Sequence, residues 1–267
     1  MKLFFRKSGE GPPLIILHGL YGSSDNWISI AKNVSDICTV YLPDQRNHGQ
    51  SPHSEIHDYD SMCDDLHELV TGLRLKKFFL AGHSMGGKTA AAFATRYPEM
   101  LNGLMVADIS PFISEKVRSV AYNQHLNILT TIISVDLDSV KSREEADNML
   151  RDRISSPDVR GFLLKNLRRN QDSTFSWKLN ASGLLNNLDN IMNSIDLDKA
   201  ASLPVCGFPV VFLKGSLSNY IQPEDIAGIR EIFPAAEFTV INGAGHWLHA
   251  DKPEEVTAAL RDLLSYE

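Results

Sequence analysis

Residues 77–87 read Lys77-Phe78-Phe79-Leu80-Ala81-Gly82-His83-Ser84-Met85-Gly86-Gly87, and this stretch decides the fold. Its apolar beginning predicts a buried strand, and the alanine-rich segment that follows, to about Tyr97, predicts a helix. Between them lies Gly-x-Ser-x-Gly, the sequence of a sharp strand-to-helix turn that exposes a serine hydroxyl above a sheet. The pentapeptide alone occurs by chance. The strand before it and the helix dipole after it make Ser84 a candidate nucleophile.

Apolar and helical segments alternate on both sides of this turn. The strands are predicted at 3–6, 14–17, 38–42, 78–81, 101–107, 210–213 and 237–241. Strands that alternate with helices indicate an α/β fold with a doubly wound, mostly parallel sheet. The interruption at 112–200 shows helical periodicities and no convincing strand. We therefore predict a sheet domain from 1–111 and 201–267, with a helical insertion at 112–200 above the carboxyl edge of the sheet, where ligands bind in such folds.

The overall composition is that of an ordinary folded domain. The chain has 267 residues, of which 43% are apolar and 22% charged. Its 26 basic and 33 acidic residues give a net charge of −7, which argues against a nucleic-acid partner. No apolar run approaches the about 18 residues that a membrane span needs, and residues 1–7 lack the apolar core of a signal peptide.

Three cysteines, Cys38, Cys63 and Cys206, are widely spaced and odd in number. Their spacing fits no metal site, and free thiols are typical of a reducing compartment. We therefore expect three reduced thiols, a cytoplasmic location and no bound metal.

A serine hydroxyl needs a base near it to accept its proton, and the base needs a carboxylate that orients it. In this arrangement the chain order is Ser, then Asp or Glu, then His. His246 fits the base, since Gly243-Ala244-Gly245-His246-Trp247 follows the last predicted strand and its glycines let the imidazole reach back. His249 is the nearest rival and is expected to pack against the closing helix.

The orienting acid is less obvious. Its usual place is the loop after the strand at 210–213, but here that loop has no carboxylate before Glu224 and Asp225, which are expected in the first turn of the next helix. Asp108 ends the preceding strand and can reach the same imidazole nitrogen from there. We therefore assign the acid to Asp108.

Attack on a carbonyl creates an oxyanion, which needs N–H donors held in place. One donor is expected to be the amide of Met85, directly after the nucleophile. The other is expected from the loop after the strand at 14–17, at the amide of Leu20. The side chain of His18 is expected to hold that loop in place.

These motifs together resemble the α/β-hydrolase superfamily over essentially the whole chain, and within it the chain is similar to the small YbfF-like esterases. The matching segments are 18–23, 44–51, 82–88, 107–111 and 243–247, which include the run Arg46-Asn47-His48-Gly49 and Lys88. The resemblance implies a helical cap, or lid, inserted after the sixth strand of the family. It also implies an acid after that strand, which supports Asp108. The implied activity is hydrolysis of short acyl esters, and of thioesters such as acyl-CoA, without a cofactor.

The substrate-binding candidates are Arg46, His48 and Trp247. Arg46 and His48 lie in a loop at the catalytic edge. There they are expected to contact the substrate or, alternatively, to hydrogen-bond the Gly-x-Ser-x-Gly turn to its neighbours. Three basic cap residues either meet an anionic substrate or form a solvated face; they are Lys165, Arg168 and Arg169.

The leading hypothesis is a serine esterase or thioesterase with a small-molecule acyl substrate. Ser84 attacks the acyl carbonyl, His246 transfers the proton, and Asp108 fixes the imidazole tautomer. A carbon–carbon bond hydrolase or lyase, or a cofactor-free haloperoxidase, uses the same residues and stays open. So does a ligand receptor without catalysis. A dehalogenase or an epoxide hydrolase is disfavoured, because these enzymes carry aspartate at the strand-to-helix turn where this chain has Ser84.

Overall fold

The structure is a computed structural model that describes residues 1–201 and 203–266. The strands in this part of the chain are β1 (Phe5–Ser8), β2 (Pro13–Leu17), β3 (Thr39–Pro43), β4 (Phe78–His83), β5 (Leu101–Ala107), β6 (Leu167–Arg169), β7 (Phe175–Trp177), β8 (Val210–Gly215) and β9 (Ala236–Ile241). The helices are α1 (Ile28–Val34), α2 (Tyr59–Gly72), α3 (Met85–Arg96), α4 (Glu115–Ser134), α5 (Arg143–Arg151), α6 (Pro157–Leu164), α7 (Ala181–Asn186), α8 (Leu188–Met192), α9 (Asp225–Ile232), α10 (Leu248–Asp251) and α11 (Pro253–Leu264).

Seven strands form one sheet in the order β1-β3-β2-β4-β5-β8-β9. Only β1 is antiparallel to its neighbour, and the other pairs are parallel. This confirms the predicted doubly wound, mostly parallel sheet. The first strand lies at Phe5–Ser8 and not at 3–6, because its pairing runs from Phe5 opposite Pro43 to Ser8 opposite Val40.

Helices cover both faces of the sheet, so its central strands are apolar throughout. Successive residues of β2 point to opposite faces. Leu14 and Ile16 pack in a cluster with residues of α1 and α11, while Ile15 and Leu17 pack in a cluster with residues of α2 and α3. All six residues of β4 are buried. The strand that leads to Ser84 is therefore fixed from both sides.

Helices α4 to α8 and the antiparallel pair β6–β7 lie between β5 and β8. The prediction that 112–200 holds no strand is wrong at this pair. Its strands have three residues each, and one of them contains Arg168 and Arg169. Segments this short show no alternation of apolar and polar residues from which a strand could be predicted. The insertion follows β5, which is the fifth strand of this chain. The resemblance had placed the insertion after the sixth strand in the numbering of the family. Most buried apolar side chains of the insertion pack in one cluster with Leu20 and Met85, whereas Ile195 belongs to the cluster beneath the sheet that contains Ile15.

Lys88 of α3 connects the sheet side of the molecule to the end of the insertion. Its side chain is buried, its Nζ donates a 2.6 Å hydrogen bond to the carbonyl oxygen of Asn193, and it lies 5.5 Å from the ring centroid of Tyr59. Burial lowers the pKa of Lys88 to about 7. Asn193 directly follows α8, so Lys88 holds the carboxyl end of that helix.

In the described residues, none of the helices has the length and apolar character to cross a membrane.

Candidate active site

Ser84 occupies a strained turn between β4 and α3. Its backbone angles are φ 53° and ψ −121°, a conformation that is rare for a residue with a side chain. Gly82 and Gly86 make the turn possible. A Cβ on Gly82 would lie 2.1 Å from the carbonyl oxygen of Gly86, and a Cβ on Gly86 would lie 2.5 Å from that of His18. The Gly-x-Ser-x-Gly spacing is therefore a steric requirement of this turn.

The structure brings Ser84, His246 and Asp108 into one hydrogen-bonded chain. Nε2 of His246 lies 3.0 Å from Oγ of Ser84, and Nδ1 of His246 lies 2.8 Å from Oδ2 of Asp108. The Asp108 side chain is fully buried, whereas the His246 side chain keeps a quarter of its surface (25%) exposed. This is the geometry that general-base activation of a serine requires.

Asp108 lies just beyond β5, and the last residue of β8 and the loop after that strand supply it with hydrogen-bond donors. The amide of Gly215 donates to Oδ1 at 2.8 Å, and the hydroxyl of Ser218 donates to Oδ2. These bonds compensate the burial of a charge. The loop that holds the acid in the usual arrangement therefore contributes donors here. Asp225 begins α9, as expected, and accepts a 2.8 Å hydrogen bond from the amide of Gln222.

Two further residues position His246, and sequence reasoning missed both. The Nε2–H of His83 donates to the carbonyl oxygen of His246 at 2.7 Å, and burial holds the pKa of His83 well below its usual range, so that ring is neutral. Tyr220 stacks on the imidazole of His246 with ring centroids 3.9 Å apart. His83 was visible as the residue before Ser84, but its contact with a carbonyl 163 positions away was not.

His249 lines the same cavity as Ser84 but makes no hydrogen bond to it among the described contacts. Its ring stacks on Trp27 at 4.8 Å and meets His83 edge-on at 4.9 Å. Burial lowers its pKa to about 4. His249 lies on α10, which contacts the closing helix α11, and the hydrogen bond to Ser84 comes from His246.

The loop that carries Leu20 packs directly on the serine turn. A Cβ on Gly19 would lie 2.8 Å from Nδ1 of His83 and 3.2 Å from Cβ of Ser84. Within the described residues, the amides of Leu20 and Met85 donate no hydrogen bond, so neither donor is committed to another group of the protein.

His18 holds this loop in place, as the sequence predicts. Its Nδ1–H donates to the carbonyl oxygen of Gly19 at 2.8 Å, and its Nε2 accepts from the amide of Gln45 at 2.9 Å. Burial lowers the pKa of His18, which favours the neutral ring that this pair of bonds needs.

The contacts of Arg46 and His48 favour the structural alternative over a role as substrate contacts. Nε of Arg46 lies 2.6 Å from Asp65, and its other nitrogens donate to two backbone carbonyls at 3.1 and 2.9 Å. His48 is fully buried, and its Nε2 accepts from the amide of Tyr21 at 3.2 Å. Neither residue lines the cavity at Ser84. The hydrogen bonds of both side chains connect neighbouring loops of the protein.

Trp247 does line a cavity of about 370 Å³ beside Ser84, here called the serine cavity. Its other walls come from the Leu20 loop, α4 and α6. The Trp247 ring lies 5.0 Å from that of Phe162, and Lys165 lies 6.0 Å from the Phe162 ring at the surface. The remaining basic candidates, Arg168 and Arg169, are exposed on the β6–β7 pair.

A pair of polar side chains that the sequence did not indicate faces the serine cavity. The hydroxyl of Tyr21 and Nδ1 of His125 on α4 lie 3.0 Å apart. Burial lowers the pKa of His125 to about 4, so the ring is neutral. In residues 1–201 and 203–266, no cluster of His, Cys, Asp and Glu side chains is arranged to hold a metal ion.

Comparison with known proteins identifies the family. Residues 12–253 match the family model described as alpha/beta hydrolase fold. The chain is 37% identical over 259 residues to the sn-1-specific diacylglycerol lipase ABHD11 of Danio rerio, covering 96% of this chain and 79% of that protein. It is 30% identical over 253 residues to Esterase YbfF of Escherichia coli, covering 95% and 93%.

Among solved structures, a marine microorganism esterase superimposes with a TM-score of 0.93 at 45% sequence identity. The match covers 98% of this chain and 99% of that one. The resemblance read from the motifs is thus confirmed: the chain belongs to the α/β-hydrolase fold family.

Proposed function

We propose that this chain is a serine hydrolase that cleaves carboxylic esters through an acyl-enzyme on Ser84. The observation that carries the proposal is the hydrogen-bonded chain from Ser84 through His246 to Asp108, beside two amides that donate no hydrogen bond within the described residues. The esterase and lipase names of the relatives support the same activity.

In the proposed reaction, Oγ of Ser84 attacks the ester carbonyl carbon while Nε2 of His246 accepts the hydroxyl proton. The carbonyl π electrons move to the oxygen, which the amides of Leu20 and Met85 stabilise. Collapse of this intermediate breaks the bond to the alcohol oxygen, and His246 returns the proton to that oxygen. Water, deprotonated by His246, then attacks the acyl carbon. The bond between that carbon and Oγ of Ser84 breaks, His246 returns the proton to Oγ, and the acid is released.

Asp108 accepts a hydrogen bond from Nδ1–H of His246 in this scheme. That bond leaves Nε2 free to accept the serine proton, and the carboxylate stabilises the imidazolium that forms. Thioesters are proposed as further substrates, because the same acyl-enzyme forms when a thiolate leaves in place of an alkoxide.

We also propose that residues 112–200 act as a cap over a core of 1–111 and 201–267. The cluster that joins most buried apolar side chains of the insertion to Leu20 and Met85 supports this division. A cytoplasmic location is proposed from the cysteines: Cys38 and Cys63 are buried thiols, and Cys206 is an exposed free thiol.

The first test is hydrolysis of p-nitrophenyl esters from acetate to palmitate. We expect activity to be highest with short acyl chains, because the serine cavity has a volume of only about 370 Å³. Ser84→Ala should lower kcat by about 10⁶-fold. Unchanged turnover in Ser84→Ala would contradict the acyl-enzyme. Failure of the wild type on every ester would overturn ester hydrolysis and favour carbon–carbon bond cleavage or a receptor.

A further inference from the structure

A second and larger cavity, of about 770 Å³, opens on the other side of His246. We call it the outer groove. Its walls are the segment after β5, one face of α4 and the loop after β8, represented by Ile109, Phe112, Val117, Ala121, Leu217 and Tyr220. The outer groove and the serine cavity share three lining residues, which are Gln124, Tyr220 and His246. The two spaces therefore meet at the proposed base.

The α4 wall of the outer groove is a regular helical face. Val117, Val120, Ala121 and Gln124 are spaced i, i+3, i+4 and i+7, so their side chains line up along the groove. Three of these four are apolar. A helix that presents such a face to open space leaves room for an apolar ligand.

Both walls of the outer groove expose large apolar side chains. Val120 on α4 is 68% exposed and Leu217 on the opposite loop is 74% exposed, the highest values among large apolar residues in the described chain. Apolar surface that a ligand removes from water stabilises the complex roughly in proportion to the area covered. A ligand that covers both residues would be stabilised by apolar contact with both walls of the groove.

The carboxylates at this groove make it acidic. Glu224, which is exposed, and Asp225, which is half-buried, both line it, and no lysine or arginine is among the described lining residues. An anionic ligand would meet repulsion here, whereas an uncharged one would not.

The position of His246 decides which half of an ester this groove receives. His246 must donate its proton to the leaving oxygen, so the alcohol lies against the imidazole. The outer groove borders His246 but not Ser84, whereas the serine cavity borders both. The acyl group, bonded to Ser84 in the intermediate, belongs in the serine cavity.

We propose that the outer groove is a leaving-group subsite that binds an uncharged alcohol with an apolar body, and that Val117 and Leu217 determine this selectivity. The inference rests on the proposed ester hydrolysis and goes beyond it, because it names the chemical class of the alcohol.

The test uses esters that share one acyl group: methyl, hexyl and 5-carboxypentyl butyrate. We expect kcat/KM of the wild type to rise at least tenfold from methyl to hexyl butyrate and to fall again for the anionic ester. Val117→Trp should fill the groove, which lowers kcat/KM for hexyl butyrate at least tenfold and leaves methyl butyrate within twofold. Asn123→Trp adds the same side chain on α4 outside the groove and should change neither value.

Leu217→Ser is the second variant, since Leu217 is exposed and its replacement does not threaten folding. It should lower kcat/KM for hexyl butyrate about fivefold. The rate of deacylation, measured from the butyryl-enzyme that all three esters share, should be unchanged in both variants.

Each of the following outcomes would overturn the inference. A changed deacylation rate, or an altered preference for acyl-chain length, would mean that the groove holds the acyl group. Equal losses on methyl and hexyl butyrate would mean a general structural effect. A wild type that hydrolyses these esters without dependence on the alcohol overturns the inference alone, whereas a wild type that hydrolyses none overturns the proposed function as well.

Discussion

The carboxyl edge of the sheet and the helical insertion differ in how closely their atoms are fixed. At the sheet edge, Ser84 and Asp108 both have positive φ, 53° and 51°, and the glycines beside them have no space for a Cβ. In the insertion, Phe162 and its neighbours face the serine cavity from ordinary helices, and a Cβ on Gly161 would meet nothing within 4 Å. The proposed chemistry therefore depends on backbone positions that accept no added atom, whereas selectivity depends on side chains that can be exchanged.

Among the variants that compare the two regions, the largest effect is expected for Asp108→Asn. The amide would hydrogen-bond the wrong imidazole tautomer, so kcat should fall by about 10⁴-fold while the fold is kept. Asp225→Asn removes the nearby carboxylate of α9 and should leave kcat within twofold. Both values are measured with p-nitrophenyl acetate. The opposite ranking of the two variants would show that the acid comes from the β8 loop region.

A single added methyl group at the sheet edge should have the next largest effect. Gly19→Ala would place Cβ against His83 and Ser84 and shift the amide of Leu20, which should lower kcat about 10²-fold. The same change in the insertion, Gly161→Ala, should leave kcat within twofold and stabilise the protein by about 1 kcal/mol in urea unfolding, because alanine favours a helix. Equal kinetic effects of the two changes would break the contrast between the regions.

Ser218→Ala tests the network around Asp108 and should have a smaller effect. Loss of the hydroxyl donor leaves the buried carboxylate with one fewer hydrogen bond, and a bond to a charged group contributes about 1.5–3 kcal/mol. We expect kcat/KM to fall about tenfold. Ser218→Thr keeps the hydroxyl and should restore most of the activity. A threonine variant as impaired as the alanine variant would assign the loss to loop packing.

Lys88 joins the two regions, and its effect should appear in stability and not in catalysis. Its pKa of about 7 in the fold lies below 10.5 in the unfolded chain. Between these values the unfolded state binds more protons, so folding stability rises with pH by up to about 1.4 kcal/mol per pH unit. Urea unfolding at pH 7, 8 and 9 should show the wild type gaining stability relative to Lys88→Met. A constant difference would mean that Lys88 is charged in the fold.

The features that sequence reasoning located are those that local chain geometry dictates. The turn at Ser84 needs glycines at fixed spacing, and Asp108 and His246 follow strands whose apolar runs are visible. Their hydrogen bonds in the structure agree with the assignment made from position.

Sequence reasoning failed where a contact joins distant parts of the chain. Ser218 reaches Asp108 across 110 positions, and His125 reaches Tyr21 across 104. No local pattern distinguishes such a serine or histidine from a surface one. Arg46 shows the same limit: the sequence left it either as a substrate contact or as a structural residue, and its partner Asp65, 19 positions away on α2, favours the structural role.

The hydrogen bond between His246 and Ser84 spans 162 positions of the chain. During synthesis, N-terminal segments emerge and begin to fold first. Ser84 therefore has no hydrogen bond to His246 until β9 and the loop after it have been made and folded. A fluorescent phosphonate that reacts with activated serines would therefore count finished molecules. In a translation or refolding reaction, the labelled fraction would report how many chains have docked their last strand.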